Sequence, residues 1–336
     1  MRSIFKTLIL LMLSIGFLVY FWPISAEEDI SMLDDKPVFF ISVKAVDIGV
    51  QVSVNGMYAF SDQSHRGQAE LDVPVNHYMH PTKNTLSVEV FPPKKGGKFK
   101  PSAVAEVELR VREFGKFEES YKIASINFDA ENEMRENQEQ YNLSSVQSFK
   151  ESENGDVIVH EIELSGSEDY PGTISAKRNI IVPNSLPEWA FFRSDEIPNY
   201  YDFEAVSDQE YQNDLEELLV EYKKVHDAIK RGDINSVLPL FSERNKETDL
   251  AFYRTPGETE QTIKDSLESS SNDSNLALLD LKADYVSLHP EPNGKVASLR
   301  RDSMNSPVIL NFIEGEGSVH YPMYFRKENG KWILTR

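Results

Sequence analysis

Hydrophobic and polar residues alternate with a period of two through much of residues 37–111. Val50, Val52 and Val54, for example, are separated by polar residues. Such alternation is typical of a strand with one buried face and one face toward water. Turn residues such as Asn55-Gly56 separate the alternating segments. We therefore predict strands at 38–46, 50–54, 69–75, 86–91 and 104–111.

Residues 113–155 interrupt this pattern and are highly polar. The stretch 131–141 is charged on all faces, so we predict a long loop or an exposed helix there. Strand patterns resume at 157–164, 173–182 and 189–192, and we expect these strands to complete a sandwich with the earlier ones. Pro183, Pro187 and Pro198 follow, and we place a domain boundary near Asn199.

The hydrophobic period changes to 3.6 after Ser207. Ser207 and Glu210 have the spacing of a capping box, and apolar residues recur every three or four positions as far as Ile229. Gly232 is a typical helix stop, and Asp233 is placed to begin a second, short helix that ends near Phe241.

A third helix is predicted to begin at 255–258, with Pro256 at its first position. A polar loop at 269–275 follows it. The remaining apolar segments predict an antiparallel meander with strands at 278–288, 296–301, 308–313, 319–325 and 332–335. Its turns fall at 293–294, 314–317 and 329–330.

Two motifs of this second region carry a family resemblance. They are His226-Asp227-Ala228-Ile229-Lys230-Arg231-Gly232-Asp233 at the end of the long helix and Phe325-Arg326-Lys327-Glu328-Asn329-Gly330-Lys331-Trp332-Ile333 in the last hairpin. Residues 208–336 thereby resemble the nuclear-transport-factor-like, or cystatin-like cone, superfamily. The resemblance implies a curved sheet around a long helix, with a cavity that serves as an enzyme pocket, a ligand site or a dimerisation surface. It does not imply a reaction.

Residues 50–91, within the first strand region, carry a second resemblance. They contain a strand that ends in Val54-Asn55-Gly56, the segment Leu71-Asp72-Val73-Pro74-Val75, and Lys83-Asn84-Thr85-Leu86 at the start of the next strand. These features resemble immunoglobulin-like and galactose-binding-like accessory sandwiches. The predicted fold is thus an all-β sandwich over 37–199, with a polar insertion at 113–155, followed by an α+β cone-like domain over 200–336.

The N-terminal residues have the order of an export signal. Arg2 and Lys6 precede the uncharged run 7–22, and a small residue, Ala26, follows Pro23. The run is somewhat short of the ~20 residues of a spanning helix, so cleavage after Ala26 is our first interpretation and an uncleaved membrane anchor the second. Residues 27–36 are then a linker. Either case places the body in the periplasm or on the outer face of the inner membrane.

Composition excludes several classes of function. The formal net charge is −20, which disfavours nucleic acid as a partner. The chain has no cysteine, which excludes disulfides, a lipid-anchoring cysteine and thiolate metal sites. Its 40% of hydrophobic residues can bury real cores. We therefore expect an exported bacterial protein that folds without covalent cross-links.

Histidines provide the candidate catalytic and metal-binding residues. His226 and Asp227 suggest an acid/base pair, but neighbours on a helix point about 100° apart, so a half-buried structural histidine is the favoured interpretation. His77 and His80 suggest a metal pair without a third ligand, and we expect them to be surface loop residues. No metal and no other cofactor is predicted.

Two further sets of residues are candidates for contact with a ligand or partner. Lys94, Lys95, Lys98 and Lys100 form a basic loop suited to an anionic envelope surface or an acidic partner. The aromatic residues of the last meander are expected in the core, and Tyr324 is our candidate at the mouth of the cone. The acidic remainder of the chain could complement a basic partner.

No catalytic motif favours an enzyme. The chain has neither a Gly-x-Ser-x-Gly elbow nor a P-loop or Gly-x-Gly-x-x-Gly loop. We predict an exported, non-enzymatic binding protein of the bacterial cell envelope, with an immunity-type protein that neutralises an envelope-acting toxin as one concrete form. The alternatives are a cone-fold isomerase, dehydratase or hydrolase that uses His226 or an unrecognised carboxylate as its base, and a carbohydrate- or cell-wall-binding accessory protein.

Overall fold

The structure, a computed structural model, describes residues 35–63, 67–130, 143–144, 157–166, 170–201, 206–301 and 306–336. The predicted signal or anchor, nearly all of the linker and the charged stretch 131–141 lie outside these ranges. Among the helices that are described, none is long and apolar enough to cross a membrane.

The alternating segments of the first part pair into two five-stranded antiparallel sheets. The strands are β1 (Pro37–Val46), β2 (Gly49–Val54), β3 (Met57–Asp62), β4 (Gln68–Pro74), β5 (Lys83–Phe91), β6 (Val104–Glu113), β7 (Tyr121–Asp129), β8 (Leu143–Ser144), β9 (Ile158–Gly166) and β10 (Ile174–Ile181). One sheet has the order β4-β1-β6-β7-β8 and the other β3-β2-β5-β10-β9. All five strands predicted over 38–111 are confirmed.

Each sheet contributes a row of buried apolar side chains. Ile41 and Leu109 are buried on neighbouring strands of one sheet, and Val52 and Val88 on neighbouring strands of the other. A buried polar contact links the sheets, because Nη1 of Arg178 on β10 donates to the carbonyl oxygen of Ser125 on β7 at 2.9 Å.

Three predictions for this part are wrong. Residues 113–155 do not form one polar insertion, because Tyr121–Asp129 is the strand β7, whose Ile126 and Phe128 are fully buried. Residues 189–192 do not form a strand but belong to a 3-10 helix, Ala190–Arg193. His77 is not a surface loop residue, since its Nδ1 is buried. In each case contacts in the tertiary structure determine the conformation or burial of the segment, and the local sequence pattern does not.

Helices dominate the start of the second part: α1 (Asp208–Arg231), α2 (Ser242–Ala251) and α3 (Glu258–Asn272). The predicted cap of α1 is confirmed, since Ser207 Oγ accepts a hydrogen bond from the Glu210 amide at 3.3 Å. Gly232 ends α1 in the left-handed region, with φ 69°. Further 3-10 helices are Asn76–Tyr78, Ile234–Ser236, Leu238–Phe241 and Ala283–Tyr285.

Two predicted helix limits are wrong. The chain does not leave the helical conformation at Phe241, because α2 continues from Ser242 to Ala251. Pro256 is not the first residue of α3, which begins at Glu258 after Gly257 has adopted φ 90°.

The remaining strands form two sheets rather than the single predicted meander. They are β11 (Leu276–Leu278), β12 (Val286–Pro290), β13 (Val296–Arg301), β14 (Ile309–Phe312), β15 (Ser318–His320), β16 (Phe325–Glu328) and β17 (Lys331–Leu334). The sheets have the orders β11-β14-β15 and β12-β13-β16-β17. The predicted strand 278–288 is thereby divided, and so is 319–325.

The apolar face of α1 packs into the core of this second part. Tyr222 is fully buried, and its ring lies 5.2 Å from that of Phe325 on β16. Its hydroxyl donates to the Met323 carbonyl at 2.5 Å and accepts from the Leu299 amide at 3.1 Å. The predicted stripe of α1 is thus the face that orients the helix on the four-stranded sheet.

Asn76, in the 3-10 helix Asn76–Tyr78, connects the two parts. Its Oδ1 accepts from the Phe39 amide at 2.6 Å, and its Nδ2 donates to the carbonyls of Pro37 at 2.8 Å and Ala251 at 2.7 Å. Its own carbonyl accepts from the Trp189 indole at 3.0 Å. The start of β1, the end of α2 and Trp189 are therefore joined at one buried residue.

Arg336 adds a second connection close by. Its guanidinium donates to a Glu247 carboxylate oxygen at 2.5 Å and to the His77 carbonyl at 2.9 Å, and lies 4.7 Å from the ring centre of Phe191. The described residues from 35 to 336 belong to one compact unit. The boundary near Asn199 stays a prediction.

Replacing Asn76 should destabilise the whole unit. Asn76→Ala leaves the Phe39 amide and the Ala251 carbonyl without the partners they have in wild type, whereas the Pro37 carbonyl keeps the Tyr253 hydroxyl. We therefore expect the free energy of unfolding to fall by about 2–4 kcal/mol. Urea unfolding measures this change. Asn213→Ala, at an exposed position of α1, is the matched control and should cost less than about 0.5 kcal/mol. Equal losses in the two variants would contradict the connecting role of Asn76.

Candidate functional site

His226 lies against the core rather than in an open cavity. It is 7% exposed, and its Nε2 donates to the Leu279 carbonyl at 3.0 Å. Nδ1 lies 3.3 Å from Oδ1 of Asp227, whose side chain is half exposed. Because Nε2 is held by a backbone carbonyl, His226 acts as a fixed connector between α1 and the segment after β11.

The basic loop is ordered and turned toward solvent. Lys94, Lys95 and Lys98 are exposed, while Lys100 forms an ion pair with Asp47 at 2.9 Å. The loop is held in place by a hydrogen bond of 2.6 Å from the Gly96 amide to the Pro171 carbonyl. All four predicted lysines are thus exposed, and among the described residues three of them have no ion pair.

His77 and His80 have separate structural roles. Nδ1 of His80 accepts hydrogen bonds from the Thr82 and Lys83 amides at 3.1 and 3.2 Å. Its lone pair is therefore not available to a metal ion. His77 packs beside Tyr78, and burial lowers its pKa well below the ordinary value. Within the described ranges, no three histidine, aspartate or glutamate side chains gather in a way that could hold a metal ion.

Tyr324 belongs to a buried polar cluster centred on Glu291. Glu291 is 2% exposed, and its Oε1 accepts from Arg300 at 2.9 Å and from Ser298 at 3.3 Å. Its Oε2 has no hydrogen-bond partner among the described residues. The guanidinium of Arg300 lies 5.6 Å from the ring centre of Tyr58, on β3 of the first part.

Titratable groups in and around this cluster have shifted pKa values. Burial raises the pKa of Glu291, although Arg300 acts in the opposite direction. Burial raises the pKa of Tyr58 to about 12, and the charge of Glu291 adds to the effect. Burial, with Arg300, lowers the pKa of His289 to about 4. Perturbed groups mark functional sites and structural junctions alike.

The backbone indicates that this cluster is a junction. A Cβ added at Gly56, in the turn between β2 and β3, would lie 2.5 Å from the Asn293 amide nitrogen, and Gly56 has φ 71°. The Gly294 carbonyl accepts from the Ile197 amide at 2.7 Å. The close approach of Gly56 to Asn293 leaves little room for a ligand between the two turns. We therefore interpret Glu291 and Arg300 as residues that fix the position of the β2–β3 hairpin on the β12–β13 turn.

The best candidate for an external contact is the hairpin tip, residues 311–318, which comprise the end of β14, the turn and the first residue of β15. All eight residues are exposed, including the large apolar side chains of Phe312, 41% exposed, and Ile313, 63% exposed. Glu314 and Glu316 follow them, separated by glycine. Two apolar side chains and two carboxylates are thus displayed on one short turn.

The hairpin tip is ordered before any partner arrives. The Phe312 amide donates to the Gly317 carbonyl at 3.3 Å, and the Ile313 amide to the Asn275 carbonyl at 2.8 Å. Below the tip, Ile309 and Leu310 are buried. A preformed, exposed apolar element binds with a smaller loss of conformational entropy than a flexible one.

The sequence predicts this turn but not its exposure. Phe312 is one of the aromatic residues of the meander that are expected in the core, and for Phe312 this expectation is wrong, since it is 41% exposed. The available clue was that Phe312 and Ile313 are adjacent at a strand end, where only one of two neighbours can point to the core.

Comparisons of the chain with protein-family models, with curated proteins and with solved structures give no match. The two family resemblances therefore stay predictions, and the function is argued from geometry.

His289 makes the stability of the junction dependent on pH. Its pKa is about 4 in the folded protein against about 6.5 when unfolded. The unfolded chain therefore binds the proton first, and stability present above pH 6.5 is lost as the pH falls toward 4. Between pH 7 and 5, wild type should lose about 1 kcal/mol more than His289→Gln, after allowance for solvent screening.

Chemical unfolding at several pH values measures this difference. His160→Gln, at an exposed position of β9, is the control and should follow wild type. Parallel pH profiles for wild type and His289→Gln would contradict the assigned role.

Proposed function

We propose that this protein is an exported, non-enzymatic binding protein of the bacterial cell envelope that binds a partner protein through the hairpin tip. The observation that carries the proposal is the display of Phe312 and Ile313 to solvent on a turn whose backbone is hydrogen-bonded. Large apolar side chains exposed side by side cost free energy in a free protein and typically mark a contact surface.

The chemistry of the tip suggests what the partner offers. Phe312 and Ile313 fit an apolar pocket, and Glu314 and Glu316 fit a rim of lysine or arginine side chains. Binding energy in interfaces concentrates in a few central anchors surrounded by polar contacts. The net charge of −20 would also attract a basic partner from a distance and raise the association rate.

The contacts of His226 support a binding function over catalysis. A cone-fold enzyme needs a base that faces an open cavity. In this chain Nε2 of His226 is bound to a backbone carbonyl, and the neighbouring core is filled by Tyr222 and Phe325. We propose that the helices and the two later sheets form a cone-like domain with a filled interior, and that the first two sheets form a sandwich.

An immunity-type protein is the most concrete form of this proposal. Such a protein must block its target with a preformed element, and it needs no reaction centre of its own. The export signal predicted at residues 1–26 would place it beside toxins that act in the envelope. Carbohydrate or cell-wall binding stays the alternative prediction.

Altering the hairpin tip should abolish partner capture. The bait is the purified protein, and the sample is an envelope extract of the producing bacterium, with captured proteins identified by mass spectrometry. Phe312→Ser with Ile313→Ser should weaken the affinity for the captured partner by about 100-fold or more, because both anchors are lost. Leu250→Ser, at another exposed apolar position, should bind like wild type.

Charge reversal tests the acidic half of the tip. Glu314→Lys with Glu316→Lys should slow association by about 10-fold at low salt, with a smaller effect at high salt. Glu216→Lys with Glu260→Lys, at exposed positions of α1 and α3, is the control with the same net charge. A captured partner that binds both tip variants, Phe312→Ser with Ile313→Ser and Glu314→Lys with Glu316→Lys, as tightly and as fast as wild type does not use the tip. That result would overturn the proposal.

A further inference from the structure

An open cavity of about 650 Å³ lies beside exposed residues of α1. Its floor and walls come from α1 and from the two 3-10 helices that follow Gly232. The lining residues are Val220, Lys223, Lys224, Asp227, Arg231, Ser236, Val237, Pro239 and Leu240. A cavity of this size is in the range that accommodates small ligands.

Positive charge predominates in this cavity although the chain is acidic overall. Three cationic side chains and only one carboxylate, Asp227, line it. Lys224 is paired with Glu221 at 2.6 Å, whereas Lys223 and Arg231 have no ion pair with any described residue. Lys223 and Arg231 against Asp227 leave one net positive charge in the cavity for an anionic group.

The helix dipole explains only part of this charge. Cations in the last turn of a helix stabilise it by interacting with its negative end, and Arg231 is so placed. Lys223 lies two turns earlier, beyond the reach of that effect. Its charge is thus not accounted for by the dipole of α1.

The other lining residues are apolar. Val220 is 53% exposed on α1, where a β-branched residue is less favourable than most. Pro239 and Leu240 lie on the opposite wall, and Val237 is buried beneath them. The cavity thus combines an apolar wall with a net positive charge, and that combination matches a molecule with an anionic head and an apolar tail.

We propose that the α1 cavity binds a single-chain anionic amphiphile, a molecule with one phosphate or carboxylate head group and one alkyl or acyl chain. Lys223 and Arg231 pair with the head group, and Val220, Pro239 and Leu240 cover the first part of the chain. A concave site of limited volume favours a single molecule over a bilayer surface. The cavity and the hairpin tip share no residue, so loss of amphiphile binding and loss of partner binding are separately measurable.

Isothermal titration calorimetry with decyl phosphate, below its micellar concentration, tests the proposal. Neutral decyl maltoside and inorganic phosphate should each bind at least 10-fold more weakly, since each lacks one half of the recognised chemistry. Lys223→Gln with Arg231→Gln should weaken decyl phosphate binding by at least 10-fold, and Val220→Asp should weaken it similarly. Lys230→Gln, an exposed lysine of α1 outside the cavity, should have no effect.

Three results would overturn the proposal. Inorganic phosphate that binds as tightly as decyl phosphate would indicate an adventitious anion only. Equal effects of Lys230→Gln and the double variant would indicate a general charge effect. A poly-glutamate peptide that binds through Lys223 and Arg231 while decyl phosphate does not would indicate an acidic peptide. All replaced polar residues are exposed, and thermal unfolding of each variant verifies that it folds.

Discussion

Asn76 is fully buried, and a buried amide is stable only if its donors and acceptors find partners. It meets this requirement with groups that are far apart in sequence: the start of β1, Trp189 and the last residue of α2. Because one residue satisfies all of them at once, through its side-chain amide and its own carbonyl, the first two sheets and the later helices are held in one relative position. Arg336 and Glu247 then fill the space next to this residue with a paired charge.

A second contact between the two parts also depends on buried polar groups. Glu291 and Arg300 lie where the β2–β3 hairpin meets the β12–β13 turn, and a buried ion pair contributes little net stability unless its geometry is fixed. The close approach of Gly56 to Asn293 supplies that fixed geometry. Polar groups thus determine how the parts are oriented, and apolar packing within each part supplies most of the free energy.

Much of the fold could be predicted from local patterns. Alternation predicts β2 and β6, and the cap at Ser207 with the stop at Gly232 predicts α1. Strand β7 could not be identified because its short apolar core is surrounded by charged residues, and the helical conformation of 190–193 is imposed by tertiary contacts of Phe191. The candidate sites were harder still, since the exposure of Phe312 and Val220 depends on which neighbours the folded chain leaves uncovered.

The hairpin tip is a loop whose two ends are held together by the ladder between β14 and β15. All eight residues of the tip, 311–318, are exposed, so side-chain substitutions there leave the scaffold intact. Related chains could therefore change partners through replacement of a single short loop, without a compensating change in the core. Recognition would then diverge quickly across a lineage while the architecture stayed constant.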